Sequence, residues 1–332
     1  MTLPRPGFIA MLTSALLVLM LAALAIGPQS MDAAPLIGAV TGRGDDASAM
    51  ILFDIRLPRL IAAAMVGATL GMAGAALQGL TRNPLAEPGL LGVSACATLG
   101  ATLTLYFGIA AAAPMAVQAG AITGALIATA LAALFARRMA GINGLILAGV
   151  GLSSFAGALM ALLLNFAPNP FSLSDMINWT LGSVANRSLN DCAAALPFIA
   201  VGMALMLSAA RGLSLLVLGE AAAAAHGLNL RSLRWRVIGG TGVAVGGAVA
   251  LAGAIGFVGI VAPHLVKARV GHVMGRALLP SALVGAMLTV GADMLVRLLP
   301  TTTELKLGVV AALFGAPLFL YIALRSQGDR DD

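Results

Sequence analysis

From Phe8 onward the chain alternates long apolar runs with short polar breaks. The runs predict helices over 8–28, 57–80, 89–108, 115–136, 142–166, 191–210, 236–255, 256–266, 277–298 and 306–324. Most reach the roughly 20 residues needed to cross a hydrocarbon core of about 30 Å. Strict period-two alternation, the mark of a membrane β-barrel, is absent, and a lipid-exposed backbone must otherwise satisfy itself as helix. The first run follows Arg5 and has the basic start of a signal peptide. It is longer than a typical signal core and further runs follow, so it is read as an uncleaved first helix. The expectation is an all-α polytopic membrane protein with ten transmembrane helices, forming one domain over 1–332.

One polar break is unlike the others. Residues 211–236, RGLSLLVLGEAAAAAHGLNLRSLRWR, carry their own helix signals. Glu220 stands where an acid favours a helix N-terminus, five alanines follow, and Gly227 then Leu228 read as a left-handed stop with a hydrophobic contact behind it. A loop that only solvates itself needs none of this, which points to a partner outside the membrane.

Composition strengthens the membrane reading: 60% of residues are hydrophobic, 10% are charged and the mean hydropathy is +1.00. With the N-terminus placed in the cytoplasm, the 19 Lys and Arg divide 13 to 6 in favour of the inner side. Only Arg43, Arg56, Arg59, Arg187, Arg297 and Lys306 fall outside, as the positive-inside rule requires. Both termini are then cytoplasmic, and the high pI reflects topology rather than nucleic-acid binding. Two outer loops have structure-forming signals. Gln29–Ile55 holds Gly42, Gly44, Asp45 and Asp46, and Ala167–Asn190 predicts a short interfacial helix anchored by Trp179.

Glycine recurs inside the runs. Gly67, Gly71 and Gly74, and again Gly239, Gly242 and Gly246, have the small-residue spacing that lets helices approach closely. Each set precedes a proline-containing stretch, Asn83–Gly92 and Gly253–His264, which suggests that helices 2 to 5 are repeated by helices 7 to 10. Cys96 and Cys192 lie in apolar runs and read as small core residues rather than a disulfide.

Catalytic and ion-coupling chemistry is hard to find. Asp293 is the clearest charge within a run, and its spacing to Arg297 suits an i,i+4 ion pair better than a proton site. The only lysines, Lys267 and Lys306, lack the glycine-rich context of a phosphate-binding loop. His226, His264 and His272 fit no metal-ligand spacing, and Ser153 and Ser154 lack the strand context and neighbouring base of a nucleophile. No catalytic residue, metal site or bound cofactor is expected in this chain, and energy must come from a partner.

Particular residues then identify a relative. RLPRLIAAAMVGATLGMAGAALQGLTRNPLAEPGLLGVSA (56–95), LILAGVGLSS (145–154), NWTLGSVANRS (178–188), LGEAAAAAHGLN (218–229), GFVGIVAPHLVK (256–267) and LGVVAALFGAPLFLYI (307–322) resemble the FecCD-type permeases. These are the membrane subunits of type II ABC importers for iron siderophores, haem and cobalamin. The resemblance implies a homodimer of ten-helix subunits in the bacterial inner membrane, two cytoplasmic ATPase subunits that bind ATP and Mg, and a periplasmic substrate-binding protein. It makes the region about 211–235 the coupling loop, with Leu218, Gly219, Glu220, Ala221, Ala224, His226, Gly227 and Leu228 at the ATPase contact. It also makes Arg56, Arg59 and Arg297 candidates for docking the binding protein.

The chain departs from the family at Lys306, usually Pro; at Lys267, usually Arg; at Cys96, often Gly; and at the run GHVMGR, which displaces His272 and Arg276. The function implied is import of a ferric siderophore or haem by alternating access, with cobalamin as the alternative within the family. An ion-coupled secondary carrier is disfavoured by the missing midplane charge, and an intramembrane enzyme by the missing nucleophile and metal-binding acids.

Overall fold

The computed structural model describes residues 6–27, 38, 41, 45–113, 115–138, 142–271, 273–299 and 304–331, with 136–138, 142, 143 and 321–331 described by backbone only. The expectations for Arg5, Gly42, Arg43, Gly44 and His272 lie outside the described residues. The longer helices are α1 (Pro6–Ala25), α2 (Leu57–Thr81), α3 (Val93–Tyr106), α4 (Ala116–Arg138), α5 (Ile142–Asn165) and α6 (Pro170–Leu181). They continue as α7 (Leu189–Ser208), the short α8 (Glu220–Ala225), α9 (Leu230–Ala252), α10 (Val258–Val270), α11 (Met274–Leu298) and α12 (Leu307–Asp331).

A helix stands at each predicted span. Among the described residues seven are long and apolar enough to cross a membrane, and α3 and the described part of α12 are shorter apolar helices. α6 is the expected helix of the 167–190 loop. Asn169 caps it, accepting from the Ser172 N–H at 2.9 Å, and Trp179 lies in its last turn.

The core forms where α2 and α9, the two most buried spans, pack against their neighbours. A Cβ on Gly67 would run into Thr289 Oγ1 and the Gly285 carbonyl, and one on Gly71 into the Ser281 carbonyl, so glycine lets α2 lie directly on α11. Gly74 meets the Gly259 carbonyl of α10 in the same way. On α9, Gly242 faces Thr129 and Gly246 faces Ala125, both on α4. Gly239 has no neighbour within 4 Å of an added Cβ, so its place in the motif is not a contact.

These contacts repeat. α2 rests on α11 through Gly67 and Thr289, and α9 rests on α4 through Gly242 and Thr129. Both threonines bond back along their helix, Thr289 to Gly285 O at 3.1 Å and Thr129 to Ala125 O at 2.7 Å. The pairings of α3 with α4 and of α10 with α11 correspond likewise. This is the pattern expected if helices 2 to 5 are echoed by helices 7 to 10.

Three boundaries differ from the expectations. Residues Asp46–Thr81 are continuously helical, through a π-helical turn at Ile51–Arg56, where a loop was expected up to Ile55. α9 begins at Leu230, not at 236, because the Asn229 side chain caps it, accepting from Ser232 N–H at 2.9 Å. α3 begins at Val93 after a 3-10 turn at Pro88–Leu91. Cys96 and Cys192 are both free thiols, Cys192 buried.

Candidate functional site

The polar break at 211–236 folds as a compact bracket at one end of the bundle. After α7 the chain makes a helical turn at Ala210–Leu215 and a 3-10 turn at Leu216–Leu218. Gly219, at φ +93°, reverses direction into α8, a conformation that favours glycine. The helix then stops as the sequence signals. Gly227 N–H donates to Ala224 O at 2.9 Å and Leu228 N–H to Ala223 O at 3.1 Å, the double bond of a Schellman stop, with Gly227 at φ +80°. Ala223 is fully buried and Leu228 packs on the same core.

An ion pair ties α8 to α9. Arg234 Nη2 lies 3.0 and 3.2 Å from the two Glu220 oxygens. The pair offsets the unfavourable start of α9, which brings Arg231, Arg234 and Arg236 close to the positive end of its own helix dipole. Arg236 reaches back to Ser208 O at 3.3 Å, the C-terminus of α7. His226 Nδ1 donates to Ala222 O at 2.8 Å.

The eight residues expected at the ATPase contact therefore divide into two groups. Leu218, Ala221, Ala224, His226 and Gly227 are exposed, with Leu218 at 59%. Glu220 and Leu228 are half-buried, engaged respectively with Arg234 and the core, while half-buried Gly219 supplies the reversal. Val217, 51% exposed beside Leu218, belongs to the outward face and was missed by sequence reasoning. Two aliphatic residues, Val217 and Leu218, directly ahead of Gly219 and the alanine run in a polar break were the signal that could have found it.

Arg56, Arg59 and Arg297 converge at the opposite end of the bundle, with their side chains turned inward. Arg59 Nε donates to Asp293 Oδ1 at 2.8 Å, and Arg59 also pairs with Glu304. Arg297 Nε lies 3.1 Å from Asp293 Oδ2, the i,i+4 pair expected, and its Nη1 donates to Ala23 O and Ile26 O at 2.9 and 3.0 Å. Arg56 Nη1 donates to Leu24 O at 2.6 Å and Ala25 O at 3.1 Å. Two arginines thus satisfy the end carbonyls of α1, which helix geometry leaves without partners. The Arg59 and Arg297 side chains are only 12% and 5% exposed.

A further carboxylate, which sequence reasoning did not single out, lies inside the bundle. Glu87 falls in the break ahead of the span expected from 89, but α3 starts only at Val93 and the 82–92 segment folds inward against α2 and α10. Glu87 Oε2 accepts from the Phe257 N–H at 3.2 Å, just ahead of α10, and Phe257 holds φ +66°, a rare conformation for a bulky residue. Gly259 packs between Pro88 of this segment and Gly74 of α2, about 10 Å from the α2 C-terminus at 1.5 Å per residue. Ser153 Oγ of α5 donates to Gly89 O at 3.2 Å and further pins the segment. The two proline-containing stretches therefore touch each other within the bundle.

Known proteins share this architecture. A solved structure titled "An inward-facing conformation of a putative metal-chelate type ABC transporter" superposes with a TM-score of 0.87 at 32% identity, covering 97% of this chain and all of that one. The vitamin B12 import system permease protein BtuC of Vibrio cholerae is 40% identical over 279 residues, 83% of each chain. An uncharacterized ABC transporter permease protein, YvrB of Bacillus subtilis, is 37% identical over 302 residues, 87% of this chain and 83% of its own. The family model of the FecCD transport family matches residues 15–325, and this chain belongs to that family.

Proposed function

We propose that this chain is the membrane-spanning permease of an ATP-driven importer, and that α8 is the lever through which ATPase subunits move it. Membership of a family of ABC importer permeases of the metal-chelate and vitamin B12 type supports the transport role. The observation that carries the lever is the build of 211–236: a capped helix, fixed to the core at Ala223 and to α9 by Glu220–Arg234, presenting Val217, Leu218, Ala221 and Ala224 outward. A short helix tied at both ends transmits displacement as a rigid body. The chain works as a homodimer in the bacterial inner membrane, with α8 facing the cytoplasm and both termini on that side.

Cobalamin and an iron chelate are the two candidate cargoes. The vitamin B12 permeases among the relatives favour cobalamin; the metal-chelate title of the similar solved structure keeps a ferric siderophore or haem in play. The arginine cluster faces the periplasmic binding protein in this reading. Glu304, 41% exposed, is its accessible edge, and acids of the partner engage Arg59 by competing with Glu304.

Proteoliposomes holding the permease with its ATPase and binding protein test this. Uptake of labelled cobalamin or ferric chelate should require ATP, and competition between the unlabelled compounds identifies the cargo. Uptake that follows a proton or sodium gradient without ATP would refute the proposal.

A further inference from the structure

A groove of about 310 Å³ opens between α4, α7 and α9 at their ends away from α8. Ala195 and Ala250 form its floor, Ile122 and Phe198 line its length, and Gln118 and Asp191 stand at its polar end. Gln118 Nε2 donates to Asp191 Oδ1 at 3.2 Å. A carboxylate oxygen only accepts, so the amide cannot be reversed, and Gln118 Oε1 is left buried with no donor among the described residues. Asp191 Oδ2 is already engaged by Ser188, through N–H at 2.9 Å and Oγ at 2.8 Å. The polar end therefore holds an unmatched acceptor beside a carboxylate, enclosed in the groove and brought to its surface by a turn of the Gln118 side chain, which calls for a cation that donates hydrogen bonds.

Two unmatched donors are close by. Arg187, within electrostatic reach of Asp191, lies with its guanidinium carbon 4.9 Å from the Trp179 ring centroid, and both Arg187 Nε and Trp179 Nε1 are buried without partners among the described residues. Burial pushes the Arg187 guanidinium down from its ordinary value, with Asp191 pulling the other way. Acceptors and donors left over side by side match a headgroup carrying both signs. Of the three helices that form the groove, α4 and α7 have apolar windows only 39% and 28% buried within the chain, against 78% for α9, so α4 and α7 keep apolar faces open to a bilayer. An occupant arriving there comes from the bilayer.

We propose that the groove binds a phospholipid with a primary ammonium headgroup, the ammonium donating to Gln118 Oε1 and Asp191 and an acyl chain lying along Ile122 and Phe198. Choline lipids cannot fill the same role, because their quaternary nitrogen has no N–H to give. Arg187 is the neighbouring partner for the phosphate.

The test uses the full-length permease in detergent with added dioleoyl phosphatidylethanolamine, phosphatidylcholine or phosphatidylglycerol, reading thermal stability and lipid retained in native mass spectra. The ethanolamine lipid should be retained about 10-fold over the choline lipid, the effect of one good polar contact. Gln118→Met should abolish that preference without lowering choline-lipid retention. Asp191→Asn, which keeps an oxygen for the Ser188 cap, should abolish it too and serves if the first variant folds poorly. Equal retention of the three lipids, a preference for phosphatidylglycerol, or an equal effect of soluble phosphoethanolamine would overturn the proposal.

Discussion

Asp293 is 1% exposed, a depth at which a lone carboxylate is not tolerated, and it persists because Arg59 and Arg297 approach it from α2 and from its own helix. Removing its charge leaves Arg297 buried without a carboxylate. Asp293→Asn should therefore cost about 3–5 kcal/mol, measured as a large fall in the melting temperature of the purified permease. Adding Arg297→Met should recover part of the loss, since the two changes act on one network. A second residue-scale prediction concerns Glu87. Glu87→Gln keeps an oxygen for the Phe257 N–H and should be mild, whereas Glu87→Leu orphans that donor and should cost about 1–3 kcal/mol in the same assay. Sequence reading paired Asp293 with Arg297 from their spacing alone. It missed the Arg59–Asp293 and Glu87–Phe257 contacts because the partners are 234 and 170 residues apart, and no local pattern encodes contacts of that range.

At the scale of elements, the glycine pattern located the helix contacts but could not say which glycines touch. Gly242 and Gly239 share one motif and one helix, yet only Gly242 meets a neighbour, the side chain of Thr129. Gly242→Ala should cost about 1–3 kcal/mol through overpacking. Gly239→Ala has room and should be neutral or stabilise by up to about 1 kcal/mol, because alanine favours helix. Chemical denaturation of the two variants side by side distinguishes them. The α8 stop was legible because it is local: Gly227 and Leu228 bond back only to Ala224 and Ala223. The start of α9 was not, because a run of arginines reads as loop until Asn229 is recognised as its cap and Glu220 as the counter-charge to Arg234. Apolar runs marked the spans themselves, while the inward-folded 82–92 segment looked like an ordinary polar break.

For the whole molecule, two halves built on α2 and α9 interlock through α2 on α11 and α9 on α4 and touch again where Glu87 contacts the start of α10, and a separate bracket at one end carries the outward-facing α8. In the proposed coupling, force applied to α8 would enter the bundle through Glu220–Arg234 into α9, the most buried span together with α2. That path requires α8 to be a helix. Proline at Ala223 removes the N–H bonded to Gly219 O at 3.0 Å and crowds a fully buried position, so it dissolves the lever while leaving the arginine cluster at the far end untouched. The decisive measurement is ATP-dependent chelate uptake by proteoliposomes carrying Ala223→Pro permease with its ATPase and binding protein, alongside binding-protein association. The account predicts that association persists while uptake is lost and ATP hydrolysis no longer drives it; unchanged uptake would contradict it.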